Sequence, residues 1–352
     1  MTHHWLVAGV GRSGTTAIYE ALQAFARRRR GFRYFYEPYL WGPPTWGSNF
    51  RRVAGAFATT NSIHADGLRC HLATPLFASE TQERPACHRD FVQGLFEAGA
   101  PVLAKIIRGC GRLDDYLRLR PRLKLVFVIR NPLDCVNSAM GNFSFFGDEF
   151  HPSDKPRFHR ELEAQGRPQP AFATEAEAAT AWWHEMNQAA LRAFEGRRDR
   201  VFIAPHEAYG SDPEPALRLL ANFLSLEAPQ TRMGFLDEPA GPITRRINLH
   251  ADDRDHIAPY QTAYFDLLEQ VSDIPIGPAC HAAMERIEAK YERLEPGAFV
   301  PDMPRDASPL AVRALLRRER DARRIALTGI GRAAESLRRL EAEISGGSSP
   351  RV

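Results

Sequence analysis

Short apolar runs alternate along the chain with segments whose apolar residues recur every three or four positions. In the second kind, Thr15 to Phe25 places Ile18 and Leu22 on one face, which predicts an amphipathic helix. The runs have the length of buried strands and are Trp5–Val10, Phe32–Tyr36, Val102–Ile107, Lys124–Ile129 and Val201–Ala204. Strands and helices that alternate in this way predict an α/β fold of three layers, with a central parallel sheet between helices.

Local signals mark the starts of two further helices. Thr174 and Glu177 have the spacing of a capping box, and Asp212 followed by Pro213 has the composition of a helix start. Two long stretches, residues 38–61 and 141–173, follow neither period. Because long irregular segments inside a compact domain are usually lids or binding loops, we expect both stretches to border a functional site.

The C-terminal residues 305–352 differ in composition from the rest of the chain. They hold eleven arginines and six acidic residues, whereas the whole chain has a net charge of +3. A helix is expected from Ser308 and Pro309 onward, with a disordered end rich in Gly, Ser and Pro. We therefore predict a domain of residues 1–304 and an Arg-rich helical tail. Such a tail can pair two copies into a homodimer, contact an anionic membrane surface or pack on the domain.

Length and composition restrict the class of protein. With 352 residues, 44% hydrophobic and 25% charged, the chain can form one large folded domain. No apolar run approaches the roughly 20 residues of a membrane-spanning helix, and the apolar start is too short for a secretory leader. We expect a cytoplasmic protein. Outside the tail the net charge is slightly negative, which argues against nucleic acid as a partner.

The residue types that usually bind metals show no ligand-like spacing. The five cysteines are scattered and form no C-x-x-C pair, so neither a disulfide framework nor a zinc site is indicated. His184 and Glu185 are not followed by a second histidine at the HExxH spacing. The sequence therefore predicts reduced cysteines and no metal cofactor.

A glycine-rich loop, GVGRSGTT at residues 9–16, joins the first predicted strand to the first helix. Backbone N–H groups and the helix dipole favour an anion there. The glycine spacing fits the G-x-G-x-x-G of dinucleotide-binding folds, with Glu37 at a distance suited to a ribose. As a nucleoside triphosphate loop it lacks the required Lys, which is Thr15 here. Arg12 is the cation in the loop, and this suits a terminal phosphate or phosphosulfate.

Two motifs together resemble the sulfotransferase family that uses 3′-phosphoadenosine 5′-phosphosulfate (PAPS). The glycine-rich loop is similar to the family's 5′-phosphosulfate loop. The run KLVFVIRNPLD, which starts at Lys124, is similar to the family's strand and R-[DN]-P motif, and Ser138 follows Arg130 by eight residues. Residues 201–226 are a looser match, with His-Glu and FLSL where the family has Tyr-Glu and F-L-G-L. The resemblance covers about residues 5–300.

The resemblance implies a P-loop type of nucleotide-binding fold that moves the sulfuryl group of PAPS to an acceptor hydroxyl and leaves adenosine 3′,5′-bisphosphate, without a metal. It implies that Arg12 contacts the 5′-phosphate and the sulfuryl oxygens, and that a late basic loop adds to the 3′-phosphate site. The nucleotide-binding residues that it implies are Gly11, Arg12, Ser13, Gly14, Thr15, Thr16, Arg130, Ser138, Arg245 and Arg246.

Catalytic residues follow from the same resemblance. Members that act on small molecules carry Lys-Thr-His at a strand end, whereas this chain has Lys105-Ile-Ile and no such histidine. In carbohydrate sulfotransferases a strand ends in an aromatic residue, then Glu-Pro and Trp, and FYEPYLW at residues 35–41 looks similar. The resemblance implies Glu37 as general base, Lys105 on the leaving-group oxygen, and a carbohydrate or glycosylated small molecule as acceptor. Arg108 is an alternative contact for an acidic acceptor.

Other interpretations stay open at the level of sequence. In an NAD(P)-dependent oxidoreductase of Rossmann type, Glu37 would contact a ribose. In a non-catalytic scaffold regulated by a nucleotide, the Arg-rich tail would bind the partner. Glu37 also has a purely structural alternative, because carboxylates at strand ends often form ion pairs.

Overall fold

The structure is a computed structural model. It describes residues 4–27, 31–39, 85–97, 100–142, 154–167, 174–211, 213–226 and 251–292, with Phe172, Leu249 and parts of residues 67–77. Arg245 and Arg246, most of residues 38–61, and the whole predicted tail lie outside the described residues.

The described residues contain one parallel sheet, and its strands are those that the apolar runs predict. In chain order they are β1 (His4–Ala8), β2 (Arg33–Tyr36), β3 (Val102–Ile106), β4 (Leu123–Ile129) and β5 (Val201–Pro205). Their order across the sheet is β2-β3-β1-β4-β5, with all neighbours parallel. Strands β1 and β3 are buried almost throughout, which explains why they read as continuous apolar runs.

The strand order differs from that of the dinucleotide-binding fold. There the second strand lies directly beside the first, whereas here β3 lies between β1 and β2. Glu37 follows β2 and is therefore separated by one strand from the loop after β1. In the dinucleotide-binding fold, the acidic residue after the second strand reaches the ribose of a nucleotide on the loop after β1. The described sheet does not have this arrangement.

Helices flank the sheet, which confirms the predicted α/β class. They are α1 (Thr15–Arg27), α2 (Ala86–Leu95), α3 (Leu113–Leu119), α4 (Pro132–Asn142), α5 (Asp154–Ala164), α6 (Glu175–Phe194), α7 (His206–Ser211), α8 (Pro213–Phe223), α9 (Ala251–Val271) and α10 (Pro278–Glu292). Helix α1 packs on β1 and β3, α6 and α9 pack on α4, and α10 packs on α7. In the described part of the chain, every helix is too short or too polar to cross a bilayer.

Two of the predicted helix signals are visible as contacts. The apolar face of α1 is buried at Ile18 and Leu22. Thr174 caps α6, because its side chain accepts a hydrogen bond of 3.1 Å from the Glu177 N–H. At the end of α8, Ser225 has a φ of 55° in the FLSL segment. This is the left-handed conformation that favours glycine after a helix, which accounts for the glycine in the family's F-L-G-L.

Helix α5 corrects the prediction that residues 141–173 are irregular throughout. Its Pro156 and its many charged residues hide the helical pattern. Proline is compatible with a helix in the first turn, where the N–H groups have no acceptor within the helix. Phe158 and Leu162, one turn apart, are buried, and the Phe158 ring lies 5.2 Å from that of Trp182. Tertiary packing thus determines that this segment is helical.

Candidate functional site

The glycine-rich loop turns tightly between β1 and α1. The Ser13 N–H donates to the Val10 carbonyl over 3.1 Å, and Arg12 has a left-handed φ of 73°. A Cβ on Gly9 would collide with the Val128 carbonyl of β4, so the loop passes too close to β4 for a larger residue. The positive φ of Arg12 costs about 1–2 kcal/mol, and backbone strain of this kind gathers at functional sites.

Helix α7 closes one side of the loop at Gly14. This glycine has a φ of 88°, and a Cβ there would collide with the His206 ring and the Tyr209 hydroxyl. The Tyr209 hydroxyl donates to the Gly14 carbonyl over 3.2 Å. The predicted loop glycine is therefore required both by the backbone conformation and by the close approach of α7.

His206 remains neutral at ordinary pH. Burial and the positive charge of Arg130 both disfavour the imidazolium, and they lower the pKa of His206 to about 3. Because His206 beside the loop is neutral, the positive charge of the site comes from Arg12 and Arg130.

We expect this shift to appear as a pH dependence of stability. Below about pH 6.5 the unfolded chain protonates His206 while the folded chain does not, so the free energy of unfolding falls as the pH drops toward 3. Urea unfolding at about pH 7.5 and about pH 5 should show a smaller fall for His206→Gln than for the parent protein. An equal fall in both proteins would contradict a neutral His206.

Arg130 follows β4 and connects the two predicted motifs. Its Nη1 donates to the Arg12 carbonyl over 3.1 Å, and its Nη2 donates to Asp134 Oδ2 over 2.9 Å. The Trp183 indole N–H donates to the Arg130 carbonyl over 3.1 Å. Burial alone lowers the pKa of Arg130, but the charges of Asp134 and Glu207 outweigh it and raise the pKa, so the guanidinium stays charged.

The turn after β4 is fixed from α7 and α9. The Asn131 N–H donates to Glu207 Oε1 over 2.9 Å, and the Tyr264 hydroxyl donates to Glu207 Oε2 over 2.6 Å. Glu207 is buried, and this burial raises its pKa. The carboxylate thus holds the start of α4 in place directly after Arg130.

The serine of the second motif lies against the arginine of the first. Ser138 is buried on α4, and Arg12 Nε donates to Ser138 Oγ over 3.1 Å. Arg12, Arg130 and Ser138 therefore meet in one place. The Arg12 side chain contacts Ser138, a residue predicted for the 3′-phosphate, although its own backbone belongs to the loop predicted for the 5′-phosphosulfate.

Two buried donors at this place have no hydrogen-bond partner within the described part of the chain. They are the Ser13 hydroxyl and Arg130 Nε. A buried unpaired donor costs roughly 1–3 kcal/mol. The first N–H groups of α1, at Thr15 and Thr16, also lack acceptors within their helix. These donors lie at a helix N-terminus beside two arginines, an arrangement that fits a phosphate or phosphosulfate.

Glu37 and Lys105 form a buried ion pair at the neighbouring ends of β2 and β3. The two residues are 1% and 3% exposed, and Lys105 Nζ donates to Glu37 Oε1 over 2.5 Å. The Ile107 N–H donates to Glu37 Oε2 over 3.1 Å. Burial alone lowers the pKa of Lys105, but the Glu37 carboxylate and Tyr36 outweigh it and raise the pKa. Glu37 also has a left-handed φ of 49°.

Tyr36 connects this ion pair with the glycine-rich loop. Lys105 Nζ lies 4.2 Å from the centre of the Tyr36 ring, and the hydroxyls of Tyr36 and Thr16 share a hydrogen bond of 3.1 Å. The two predicted catalytic residues therefore lie beside the start of α1. Tyr36 was not predicted, because an aromatic residue at a strand end is common and carries no signal of its own.

The remaining site residues fall into three groups. The Gly11 carbonyl accepts a hydrogen bond of 3.2 Å from Cys135 Sγ, a contact that the sequence did not indicate. Arg108 follows β3 and is 7% exposed. Arg245 and Arg246 lie outside the described residues. Among the residues with described positions, no group of three His, Cys, Asp or Glu side chains is arranged to hold a metal ion.

A sequence profile described as "Sulfotransferase family" matches residues 6–230, which is more than half of the chain. The chain belongs to the sulfotransferase family. It is therefore an enzyme of sulfuryl transfer to a hydroxylated acceptor, and the oxidoreductase and scaffold alternatives are set aside. The matched part of this sulfotransferase contains the glycine-rich loop, the Glu37–Lys105 pair, Arg130 and Ser138, and it ends before Arg245 and Arg246.

Solved structures similar to this sulfotransferase have low sequence identity to it. One is a sulfotransferase from Alicyclobacillus acidocaldarius, with 14% identity, a TM-score of 0.36, and 77% of this chain and 97% of that chain covered. A second, from Mycobacterium avium, has 14% identity, a TM-score of 0.37 and coverages of 82% and 76%. The sulfotransferase domain of the Synechococcus PCC 7002 olefin synthase has 13% identity, a TM-score of 0.32 and coverages of 83% and 95%. No curated protein matches the chain.

Proposed function

We propose that this sulfotransferase uses PAPS as its donor and holds it between the two motifs. The 5′-phosphosulfate lies on the glycine-rich loop, and the 3′-phosphate lies on Arg130 and Ser138, with Arg245 and Arg246 completing that end. The observation that supports this proposal most is the meeting of the motifs through the contacts of Arg12 with Ser138 and of Arg130 with the Arg12 carbonyl.

The donors around the loop are suited to this ligand. Bound PAPS supplies an activated sulfuryl group, and the protein binds and orients it. The buried Ser13 hydroxyl and Arg130 Nε, unpaired among the described residues, offer hydrogen bonds to phosphate oxygens. Arg12 lies between the two phosphate positions and stabilises the charge that develops on the transferred group. Selectivity for PAPS over ATP comes from the residues at the 3′-phosphate.

The Glu37–Lys105 pair supplies the proton chemistry. Lys105 donates to the leaving-group oxygen, and Glu37 accepts the proton of the acceptor hydroxyl. Lys105 Nζ occupies Oε1 of Glu37 at 2.5 Å, so the ammonium has to move toward the bound donor before this oxygen can accept the proton. Tyr36, which contacts both Lys105 and Thr16, keeps the pair beside the donor loop.

The acceptor that we propose is a hydroxyl of a carbohydrate or of a glycosylated small molecule. Support comes from the segment FYEPYLW at residues 35–41, whose Glu37 lies at the proposed reaction centre. Arg108, buried just beyond Ile107, favours acceptors that also carry an anionic group. The acceptor panel that tests this proposal therefore contains neutral sugars, anionic sugars and hydroxylated compounds without a sugar.

Thermal shift followed by mass spectrometry tests the proposal. Adenosine 3′,5′-bisphosphate should raise the melting temperature more than adenosine 5′-phosphate or NAD does, because only the bisphosphate engages both motifs. With PAPS present, an acceptor from the panel should gain about 80 daltons, the mass of one sulfuryl group replacing a proton. A larger shift with NAD, or no preference for the bisphosphate, would contradict the assigned donor.

A further inference from the structure

We propose that Lys290 and Tyr291 on α10 are positioning residues that set the affinity of Arg130 for the 3′-phosphate, acting through Asp134. This inference rests on the proposed function, in which Arg130 binds that phosphate. Helix α10 begins at Pro278, beyond the end of the family match at residue 230, so neither residue belongs to the motifs that identify the family.

The two oxygens of Asp134 are bound by residues of different segments of the chain. Oδ2 accepts from Arg130 Nη2 over 2.9 Å. Oδ1 accepts from Lys290 Nζ over 3.1 Å and from the Tyr291 hydroxyl over 2.9 Å. Lys290 Nζ also donates to the Tyr291 hydroxyl over 3.2 Å. Tyr291 is 0% exposed, so its hydroxyl is held in one place by the packing of α10.

The second cation changes the charge that Arg130 presents. Arg130 and Asp134 alone are a neutral pair, which attracts a phosphate weakly. Lys290 on the other carboxylate oxygen offsets the charge of Asp134, so these three side chains together carry a net positive charge. Burial alone raises the pKa of Asp134, but Arg130 and Lys290 outweigh it and hold the pKa well below its usual range, so the carboxylate stays ionised between two cations.

The same contacts orient the guanidinium. With Oδ1 held by two donors, the carboxylate keeps Oδ2 on Nη2 of Arg130, while Nη1 is held by the Arg12 carbonyl. Nε, buried and unpaired within the described residues, remains as a donor for a phosphate oxygen. Lys290 and Tyr291 thus act before the ligand arrives, by fixing the guanidinium in its binding orientation.

Calorimetry with two nucleotides tests this role. The measured quantity is the ratio of the Kd of adenosine 5′-phosphate to that of adenosine 3′,5′-bisphosphate, which isolates the contribution of the 3′-phosphate. We expect Lys290→Met to lower this ratio about tenfold, because it removes a cation from the carboxylate, and Tyr291→Phe about threefold, because it removes one hydrogen bond from an uncharged donor. The KM for PAPS should rise, with kcat at saturating PAPS unchanged.

Two matched variants separate positioning from a general change in the helix. Lys290→Arg keeps the cation and should retain most of the ratio. Arg286→Met removes a charge from an exposed position of α10 and should leave the ratio unchanged. Loss of affinity for both nucleotides to the same extent would overturn the inference, because it would indicate loosened packing.

Two results separate the role of α10 from the assignment of Arg130 to the 3′-phosphate. If the parent protein itself binds both nucleotides equally, the assignment of Arg130 to a 3′-phosphate is wrong, and the inference falls with it. If the parent protein prefers the bisphosphate and Lys290→Met and Tyr291→Phe keep that preference, the proposed function stands and the role of α10 is overturned.

Discussion

Replacing Glu37 with glutamine lowers kcat by about two to four powers of ten, the usual contribution of a positioned general base. The amide keeps the shape of the side chain but cannot take the proton of the acceptor hydroxyl. The Kd of adenosine 3′,5′-bisphosphate should change by less than about threefold, because the phosphate contacts come from other residues. Steady-state kinetics and calorimetry on the same preparation measure both quantities.

The same substitution also reduces stability, and this effect must be separated from catalysis. Glu37→Gln leaves the buried Lys105 ammonium without its carboxylate, at a cost on the order of 3–5 kcal/mol. The double variant Glu37→Gln/Lys105→Met removes the unpaired charge, so it should regain stability in urea unfolding while its kcat stays low. Glu214→Gln, which breaks the exposed ion pair with Arg218, is the matched control and should change neither quantity much.

A retained kcat in folded Glu37→Gln would show that Glu37 is not the general base. The general base would then have to be sought elsewhere, and the likeness of FYEPYLW to the carbohydrate enzymes would lose its catalytic meaning.

Replacing Arg130 with alanine weakens the binding of adenosine 3′,5′-bisphosphate by at least about a hundredfold. The variant loses the hydrogen bonds that the planar, charged guanidinium donates to the 3′-phosphate. It also leaves the Asp134 carboxylate without the Arg130 cation, so the carboxylate repels the phosphate. The affinity for adenosine 5′-phosphate should fall much less. Calorimetric titration with both nucleotides measures the difference.

Two comparisons determine what a loss in Arg130→Ala means. Arg130→Lys keeps the charge without the planar fork, so its affinity for the bisphosphate should lie between those of the parent protein and the alanine variant. An equal loss for both nucleotides in Arg130→Ala would contradict the account. It would mean that Arg130 serves to hold the loop, through its hydrogen bond to the Arg12 carbonyl.

The strands could be predicted because parallel strands covered on both faces need apolar residues at nearly every position. Their order could not, since it depends on contacts between distant segments. It is this order that brings Glu37 to Lys105: β2 pairs with β3 so that Tyr36 lies opposite Lys105, and the Glu37 N–H donates to the Lys105 carbonyl over 2.9 Å. The sequence predicted both residues at one edge of the sheet but not their direct contact.

The contacts that hold Arg130 in place include residues that the motifs could not predict. Arg130 and Ser138 could be predicted because they are eight residues apart on one strand–helix unit. Lys290 lies 156 residues from Asp134, and nothing in the sequence of either segment indicates their contact. Likewise Tyr209 contacts Gly14 across 195 residues, and the sequence does not indicate this contact.

A crystal structure of the complex with adenosine 3′,5′-bisphosphate tests the central claim, that one nucleotide joins the two motifs. If this claim holds, the 5′-phosphate lies on the N–H groups of the glycine-rich loop, and the 3′-phosphate of the same molecule lies within hydrogen-bond distance of Arg130 and Ser138. A nucleotide whose 5′-phosphate occupies the loop while its 3′-phosphate points away from both residues would contradict it.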